Sequence, residues 1–593
     1  MTDKTNDAGG PLTGREIRLL EVYPPKGDTD TLECRRLRIS LSAADRPQYE
    51  ALSYVWGDPK ICVKIICDGV PFQVTVNLFN ALRKLRLPCT SRLVWADAIC
   101  IDQNNDDEKN CQIPLMNEIY SLAESVVVWL GEVDMKTSEK VAGLVEDLMG
   151  LITEAKHRGL DSDDLPEAYR IVIPATPFAN AIRQYLPILY DMTWFTRIWC
   201  VQEVVLARNA IMMLGGSQLK WEDVGSVAEW LSDVEPLRGL DYDTNAFYGD
   251  VSVWGASTMY GMQKKPQNLF ELLGSCSAFE ATDRRDKVYG ILALVEPKTE
   301  AQAVTISCKS SAEDIFANII VVMIRLYSDL RAFEQIDHGN EYHRGNGNLP
   351  SWAIEWDYFE YIRAIPHDSS TLSACKDVEA KLQDDALELD SKHLRLKGIF
   401  YSNVTNTHVI MSQEDTLKSN SNHPFLESFD AIVARKATDF ANQLQLSNVL
   451  ARTLTAGATT NDPYPIADAS PEQQFAFITS FLRLIESLKA GVDYMAFGQN
   501  LPSWDEFLEE AEHVCTGRRV FETANGNFGL GPAAMRSGDI VVVLYGGQSP
   551  YVLRPYGDNF FLIGQAYVDE LMHGKLIDDL EAGLAQEREF CLV

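Results

Sequence analysis

Between residues 49 and 148 short apolar runs alternate with amphipathic stretches, and this rhythm limits the fold more than any other feature of the sequence. The run 49–56 ends in Gly57-Asp58-Pro59, a turn signal. Residues 62–67 and 70–74 flank Asp68-Gly69, a dipeptide suited to a two-residue hairpin because both turn positions need positive φ. Thr75 can cap a helix over 76–86, where Leu78, Leu82 and Leu85 share one face. The run 93–101 is apolar except for Asp97 and reads as a buried strand carrying one carboxylate. Pro114 fits the first turn of a helix from about residue 113 to 124. A Val-rich strand at 125–130 closes on Gly131, and Ser138 opens a helix with Val141, Leu144, Val145 and Leu148 on one side.

Strand, helix, strand, helix in this order predicts an α/β class chain. Its N-terminal domain would hold a parallel sheet, flavodoxin-like or Toll/interleukin-receptor-like, with β-hairpin additions. In such sheets ligands bind outside the carboxyl ends of the strands. The segments Trp56-Gly57-Asp58 and Asp102-Gln103-Asn104 would lie there if both strands run parallel. The rest divides by pattern. Residues 1–14 read as a flexible tail, and 15–210 as the α/β domain. Residues 211–386 read as a mainly helical region, and 387–514 as a strand pair (387–400), a linker and helices. Residues 515–593 read as a small antiparallel β module with a terminal acidic helix at 571–586.

With 593 residues the chain has ample material for several cores. Its net charge of −32 argues against coating nucleic acid or docking on anionic lipid, both of which draw on a surplus of Lys and Arg. No apolar stretch is long enough to span a bilayer and the start is polar, so a cytoplasmic protein is expected. The 12 Cys are scattered without a CxxC, as expected of reduced thiols rather than a disulfide or zinc framework; no metal site is expected. The first of 9 His is His157, so chemistry confined to the first 150 residues must proceed without imidazole. The P-loop, GxGxxG, HExxH and GxSxG patterns are absent, which removes the usual ATPase, dinucleotide oxidoreductase, zinc-protease and serine-hydrolase readings.

Two clusters carry the chemistry that remains. Asp97 within its apolar run needs a partner or a shifted pKa, while Asp102 and Gln103 would project where that run ends. Cys100, flanked by apolar residues, has no activating neighbour. In the second cluster Trp199 and Glu203 share a helix face, beside Gln202, and Arg197 is suited to brace a buried carboxylate such as Asp97 or Glu203. Tyr54, Trp56, Gly57 and Asp58 could wall a pocket or simply pack and turn. A carboxylate in an aromatic cleft is how glycosidic chemistry places its base or nucleophile, which makes Glu203, Asp102 and Asp97 the catalytic candidates. A structural Arg–carboxylate brace is the competing reading of the same residues.

The stretches YEALSYVWGD (49–58), LVWADAICIDQNNDDEKNCQIPLMNEIYSLAESVVVWLGE (93–132) and WFTRIWCVQEVVLA (194–207) resemble the fungal heterokaryon incompatibility (HET) domain. TDRRDKVYGILALV (282–295), LPSWAIEWD (349–357) and the β-rich 518–575 resemble the downstream pattern of stand-alone HET proteins of filamentous ascomycetes. The resemblance implies non-self recognition after hyphal fusion, with the HET domain as the trigger of programmed cell death. It also implies a remote likeness to Toll/interleukin-receptor domains, some of which cleave NAD with a Glu. The expected partner is a protein or an incompatible allelic product, with self-association as an alternative and no nucleic acid. No cofactor is required, and NAD enters as a candidate substrate. The alternatives to a death effector are an NAD or nucleotide glycohydrolase and a non-catalytic interaction scaffold. Pro114 departs from the polar residue the family tends to carry, and neither a P-loop nor WD-type repeats accompany the domain.

Overall fold

A computed structural model describes residues 10, 12–26, 31–157, 177–233, 251–305, 309–336, 338, 349–356, 365, 373–382, 392–411, 424–436, 439–457, 471–490, 511 and 514–593. They fall into two compact units, one built on residues 1–310 with 356–359, the other on 311–355 with 360–593.

The first unit begins with β1 (Glu16–Val22), β2 (Glu33–Ser40), β3 (Glu50–Tyr54), the hairpin β4 (Cys62–Cys67) and β5 (Val70–Thr75), α1 (Val76–Leu85) and β6 (Arg92–Trp95). It continues with α2 (Asp97–Cys100), α3 (Asp106–Gln112), α4 (Met116–Leu122), β7 (Ser125–Gly131), α5 (Met135–His157), α6 (Pro177–Tyr190) and α7 (Ile198–Val205). A second hairpin, β8 (Ala210–Leu214) and β9 (Ser217–Lys220), precedes α8 (Trp221–Asp233), α9 (Val251–Lys264), α10 (Leu269–Cys276), the single turn α11 (Asp286–Tyr289) and α12 (Lys298–Gln302).

The local signals explain several of these elements. Asp68 and Gly69 both adopt positive φ in the β4–β5 turn, and the Thr75 side chain accepts from Leu78 N at the start of α1. Pro114 sits in a 3-10 turn that leads directly into α4.

The sheet has nine strands in the order β5-β4-β2-β1-β6-β3-β7-β8-β9. Its middle, β6-β3-β7-β8, is a parallel block, with β7 (SVVVWLG) buried along nearly its whole length, and β2 and β4 also pair in parallel. Antiparallel pairings join β1 to β2 and β6, β4 to β5 and β8 to β9, so the expectation of a parallel sheet is corrected to a mixed one. The hairpins β4–β5 and β8–β9 pair antiparallel because they are joined by tight turns, whereas parallel neighbours need a crossover. The sheet also runs past residue 210, because β8 and β9 extend it beyond β7.

The expected strand at 93–101 is corrected as well. Backbone bonds from Cys100 N to Ala96 O (2.8 Å) and Ile101 N to Asp97 O (3.1 Å) fold its second half into α2. The strand therefore ends at Trp95, and Asp97 rather than Asp102 stands at its carboxyl end.

The second unit contains α13 (Ala312–Tyr327), the long strand β10 (Leu394–Ile410), α14 (Pro424–Lys436), α15 (Phe440–Leu454) and α16 (Pro471–Ala490). It ends with β11 (Arg518–Thr523), β12 (Phe528–Pro532), β13 (Ile540–Leu544), β14 (Tyr551–Tyr556), β15 (Asn559–Gln565), α17 (Lys575–Glu581) and β16 (Glu587–Leu592). The expected strand pair at 387–400 is one 17-residue strand over its described part; residues 387–391 lie outside the described residues. Register shifts along β10 let it pair with β16 and β13 early and with β11 late.

The run β10-β13-β14-β15-β16 closes back on β10, and the closed ring leaves few free edges. Ile399, Val541, Val543, Val552 and Ile563 fill its core. The expected terminal acidic helix is shorter and not terminal. It ends at Glu581 and β16 follows, pairing with β15 in parallel through Phe560 and Leu592, so the module is not purely antiparallel. The stretch 411–424, read as a surface linker, lies largely outside the described residues, whereas the acidic stretch 368–385, read the same way, buries Ala374, Cys375 and Ala380 in its described part, 373–382.

Candidate functional site

Because β3 and β6 run parallel, Trp56 and Asp97 leave the sheet side by side, each two residues beyond its strand. Trp56 Nε1 donates to Asp97 Oδ2 at 2.6 Å, and Ala98 N donates to Asp97 Oδ1 at 2.8 Å. Together they form one wall of a cleft of about 830 Å³, within the size range of small-molecule sites. Tyr54, Gln103, Arg197, Trp199 and Glu203 line the same cleft. Gln103 is held by its Nε2, which donates to Asp97 O at 3.0 Å. Trp56, 37% exposed, is not a core tryptophan; its ring borders the opening.

The other wall is α7 with the segment before it. Ser53, at the buried end of β3, donates to the Glu203 carboxylate, and Trp194 Nε1 donates to Ser53 Oγ at 2.7 Å. Burial pushes the Glu203 carboxyl up to about 7, and the Asp97 charge adds to this, against the lowering by Ser53, Arg197 and Tyr120. Burial likewise raises Asp97, although Trp56 and Tyr54 favour its charged form. Burial pushes the Cys100 thiol up to about 12 and Cys200 well above its ordinary value, so both stay protonated at neutral pH.

Arg197 does not form the expected brace. Among the described residues its side chain makes no ion pair or hydrogen bond, and it acts on Asp97 and Glu203 only through its charge. The reason is visible in the backbone: Arg197 pairs as a β-bridge with Glu280, which fixes its main chain and leaves the guanidinium at the cleft.

Four expected residues are not brought into the cleft. Asp58 is exposed in a turn, where its carboxylate accepts from Lys60 N at 2.9 Å, and Gly57 supplies that turn's positive φ (79°). Asp102 is exposed and accepts from Asn104 N at 3.1 Å. Gln202 is buried outside the cleft lining, and its Nε2 donates to Met116 Sδ at 4.0 Å.

The sequence reading missed two supports. Arg18 and Glu108 form a buried ion pair; Glu108 also accepts from Asp102 N at 2.8 Å, and Arg18 donates to Cys100 O at 3.1 Å, so the pair ties α2 and the loop after it to β1. The second is the segment 277–289, which completes the cleft; its TDRRDKVYG pattern was the available signal. Ile198 N donates to Glu280 O at 3.0 Å, and the buried Lys287 amine donates to Ser277 O at 2.8 Å and to Phe279 O, stitching this segment to the start of α7.

Among the described residues no group of His, Cys, Asp and Glu is arranged to hold a metal, the cysteines are unpaired thiols, and no helix is long and apolar enough to cross a membrane. What the cleft offers chemically is an unpaired guanidinium, indole rings, and buried carboxyls raised above their ordinary range, Glu203 to about 7.

The family model for heterokaryon incompatibility protein (HET) matches residues 49–203, the stretch that supplies Tyr54, Trp56, Asp97, Arg197 and Glu203. The model for the Het-6 beta-barrel domain matches residues 490–593, which contain β11–β16. Over 95% of both chains the sequence is 26% identical to heterokaryon incompatibility protein 6, OR allele, of Neurospora crassa. No solved structure matches the chain significantly.

Proposed function

We propose that the chain is a member of the heterokaryon incompatibility family and a non-self recognition protein whose HET domain promotes cell death after hyphal fusion. The observation that carries this reading is a cleft in which the HET-matched residues Glu203, Asp97 and Arg197 face one space, completed by the segment 277–289. A domain serving only as a scaffold has no need to bury a Glu that resists ionisation and to leave an Arg beside it unpaired. The trigger is contact with a protein partner, an incompatible allelic product or another copy of the chain, in the cytoplasm. Expression of the full chain in a compatible fungal host tests the reading. Loss of viability is expected, and full viability with abundant folded protein would overturn it.

A second reading concerns the reaction. The parallel block β6-β3-β7-β8, with the cleft beyond its strand ends, supports a Toll/interleukin-receptor-like sheet and a site for NAD or a related nucleotide. Arg197 would hold a phosphate, and Glu203 or Asp97 in its ionised form would stabilise the ribosyl cation as the base departs, water then adding at C1′ and releasing a proton. Neither imidazole nor metal is needed for that step. Purified protein incubated with NAD should release nicotinamide, and absence of turnover even in the oligomerised protein would remove the glycohydrolase reading alone.

A further inference from the structure

Six carboxylates line the cleft: Asp97, Asp106 and Glu203 come from the HET-matched stretch, and Glu280, Asp283 and Asp286 from outside it. Asp286, at the start of α11, is held by a tryptophan and has an acceptor to spare. Trp199 Nε1 donates to Asp286 Oδ2 at 2.9 Å, while Oδ1 has no partner among the described residues. Asp97, by contrast, has both oxygens occupied by Trp56 and Ala98, and Glu203 is buried under Ser53.

The cations nearest in sequence are turned away from Asp286. Arg285 forks onto Asp283, with Nε–Oδ1 at 2.9 Å and Nη2–Oδ2 at 2.5 Å, and Lys287 points its amine at Ser277 O and Phe279 O. Asp286 is held in place from behind: its main-chain oxygen accepts from Gly290 N at 2.8 Å, and a Cβ on Gly290 would lie 3.1 Å from Ile198 Cγ1, so α11 packs directly on α7. A carboxylate fixed by an indole, in no ion pair among the described residues and feeling Arg285 and Arg197 only through their charge, with one oxygen open to a cavity, is an acceptor for a ligand's hydrogen-bond donors.

Arg197, across the same cleft, is an unpaired donor for an anionic group. We propose that Asp286 is a ligand-contacting residue that recognises the vicinal ribose hydroxyls of a nucleotide whose phosphate is held by Arg197. The working site of the chain then includes residues 277–290 as well as 49–203. The proposal rests on the nucleotide reading of the cleft, and it adds the residue that reads the sugar.

The test is calorimetric titration of the full chain with ADP and with 2′,3′-dideoxy-ADP. The wild type should bind ADP about tenfold or more tightly than the dideoxy form, the size of one charge-assisted hydrogen bond. In Asp286→Asn that ratio should collapse towards one, with affinity for dideoxy-ADP nearly unchanged. A variant that keeps the wild-type ratio overturns the proposal, and so does one that weakens both ligands equally. Should the variant not fold, the wild type decides: equal affinity for the two nucleotides overturns hydroxyl recognition while leaving the nucleotide reading intact. Binding of neither nucleotide overturns the nucleotide reading and the proposal with it.

Discussion

Replacing Glu203 with Gln should stabilise the first unit at neutral and alkaline pH and should do nothing of the kind in acid. Glu203 is 7% exposed, and burial pushes its carboxyl from an ordinary 4.5 to about 7. Between these values the folded chain holds a proton that the unfolded chain has released, so stability falls as pH rises through the window. At 1.36 kcal/mol for each pH step, the wild type is about 3 kcal/mol less stable above pH 7 than its acid-side behaviour implies. Glutamine removes that dependence and keeps an oxygen for Ser53. Urea unfolding followed by tryptophan fluorescence reads the buried Trp95, Trp129 and Trp194 of this unit. Measured at several pH values from 4.5 to 8, the stability of Glu203→Gln relative to wild type should climb by about 3 kcal/mol and level off above pH 7. A difference that stays flat across this range would refute the assignment of a buried, proton-holding Glu203.

Ser53→Ala should cost about 1–3 kcal/mol, because it strands Trp194 Nε1 and removes the hydroxyl that favours the Glu203 carboxylate; the pH window of Glu203 should then move upward, read by the same titration. Arg18→Met should cost about 3–5 kcal/mol by leaving Glu108 buried and unpaired, and adding Glu108→Gln should recover most of the loss, measured by urea unfolding at pH 7. Gly290→Ala adds a Cβ 2.8 Å from the Asp286 carbonyl oxygen, so α11 must shift at about 1–3 kcal/mol; the Trp199 fluorescence should change with it, and an unaltered spectrum and midpoint would contradict the close packing of α11 on α7.

Much of the first unit could be read from local chemistry. The Asp68-Gly69 turn, the Thr75 cap and the Pro114 first turn each depend on a few neighbouring residues, and each is found in place. The sheet order could not be read, because β1, far back in the chain, inserts between β2 and β6, and the β8–β9 hairpin is added last. Apolarity alone cannot separate a buried strand from a buried helical turn. For that reason the run 93–101 hid α2, and the strand end was placed at Asp102 instead of Asp97.

The clefted residues Trp56, Asp97, Arg197, Trp199 and Glu203 stood out as polar or aromatic groups in apolar surroundings. Asp58 and Asp102 stood out equally, yet they serve their own turns, since a carboxylate that accepts from a backbone N–H two residues on looks the same in sequence as one facing a pocket. Asp286 went unassigned because its role depends on a tryptophan 87 residues away, and the Arg18–Glu108 pair because its members are 90 residues apart. In the second unit the closure of the barrel depends on β10, which is separated from β11 by three helices among the described residues.

The most direct test of the central claim, that the cleft is the working site of an incompatibility protein, is growth of a compatible fungal host expressing matched levels of folded chain. Wild type and Glu146→Gln, a change on the exposed face of α5, should both arrest growth, while Glu203→Ala and Arg197→Ala should restore it. Arrest by Glu203→Ala and Arg197→Ala as complete as by the wild type would contradict the account.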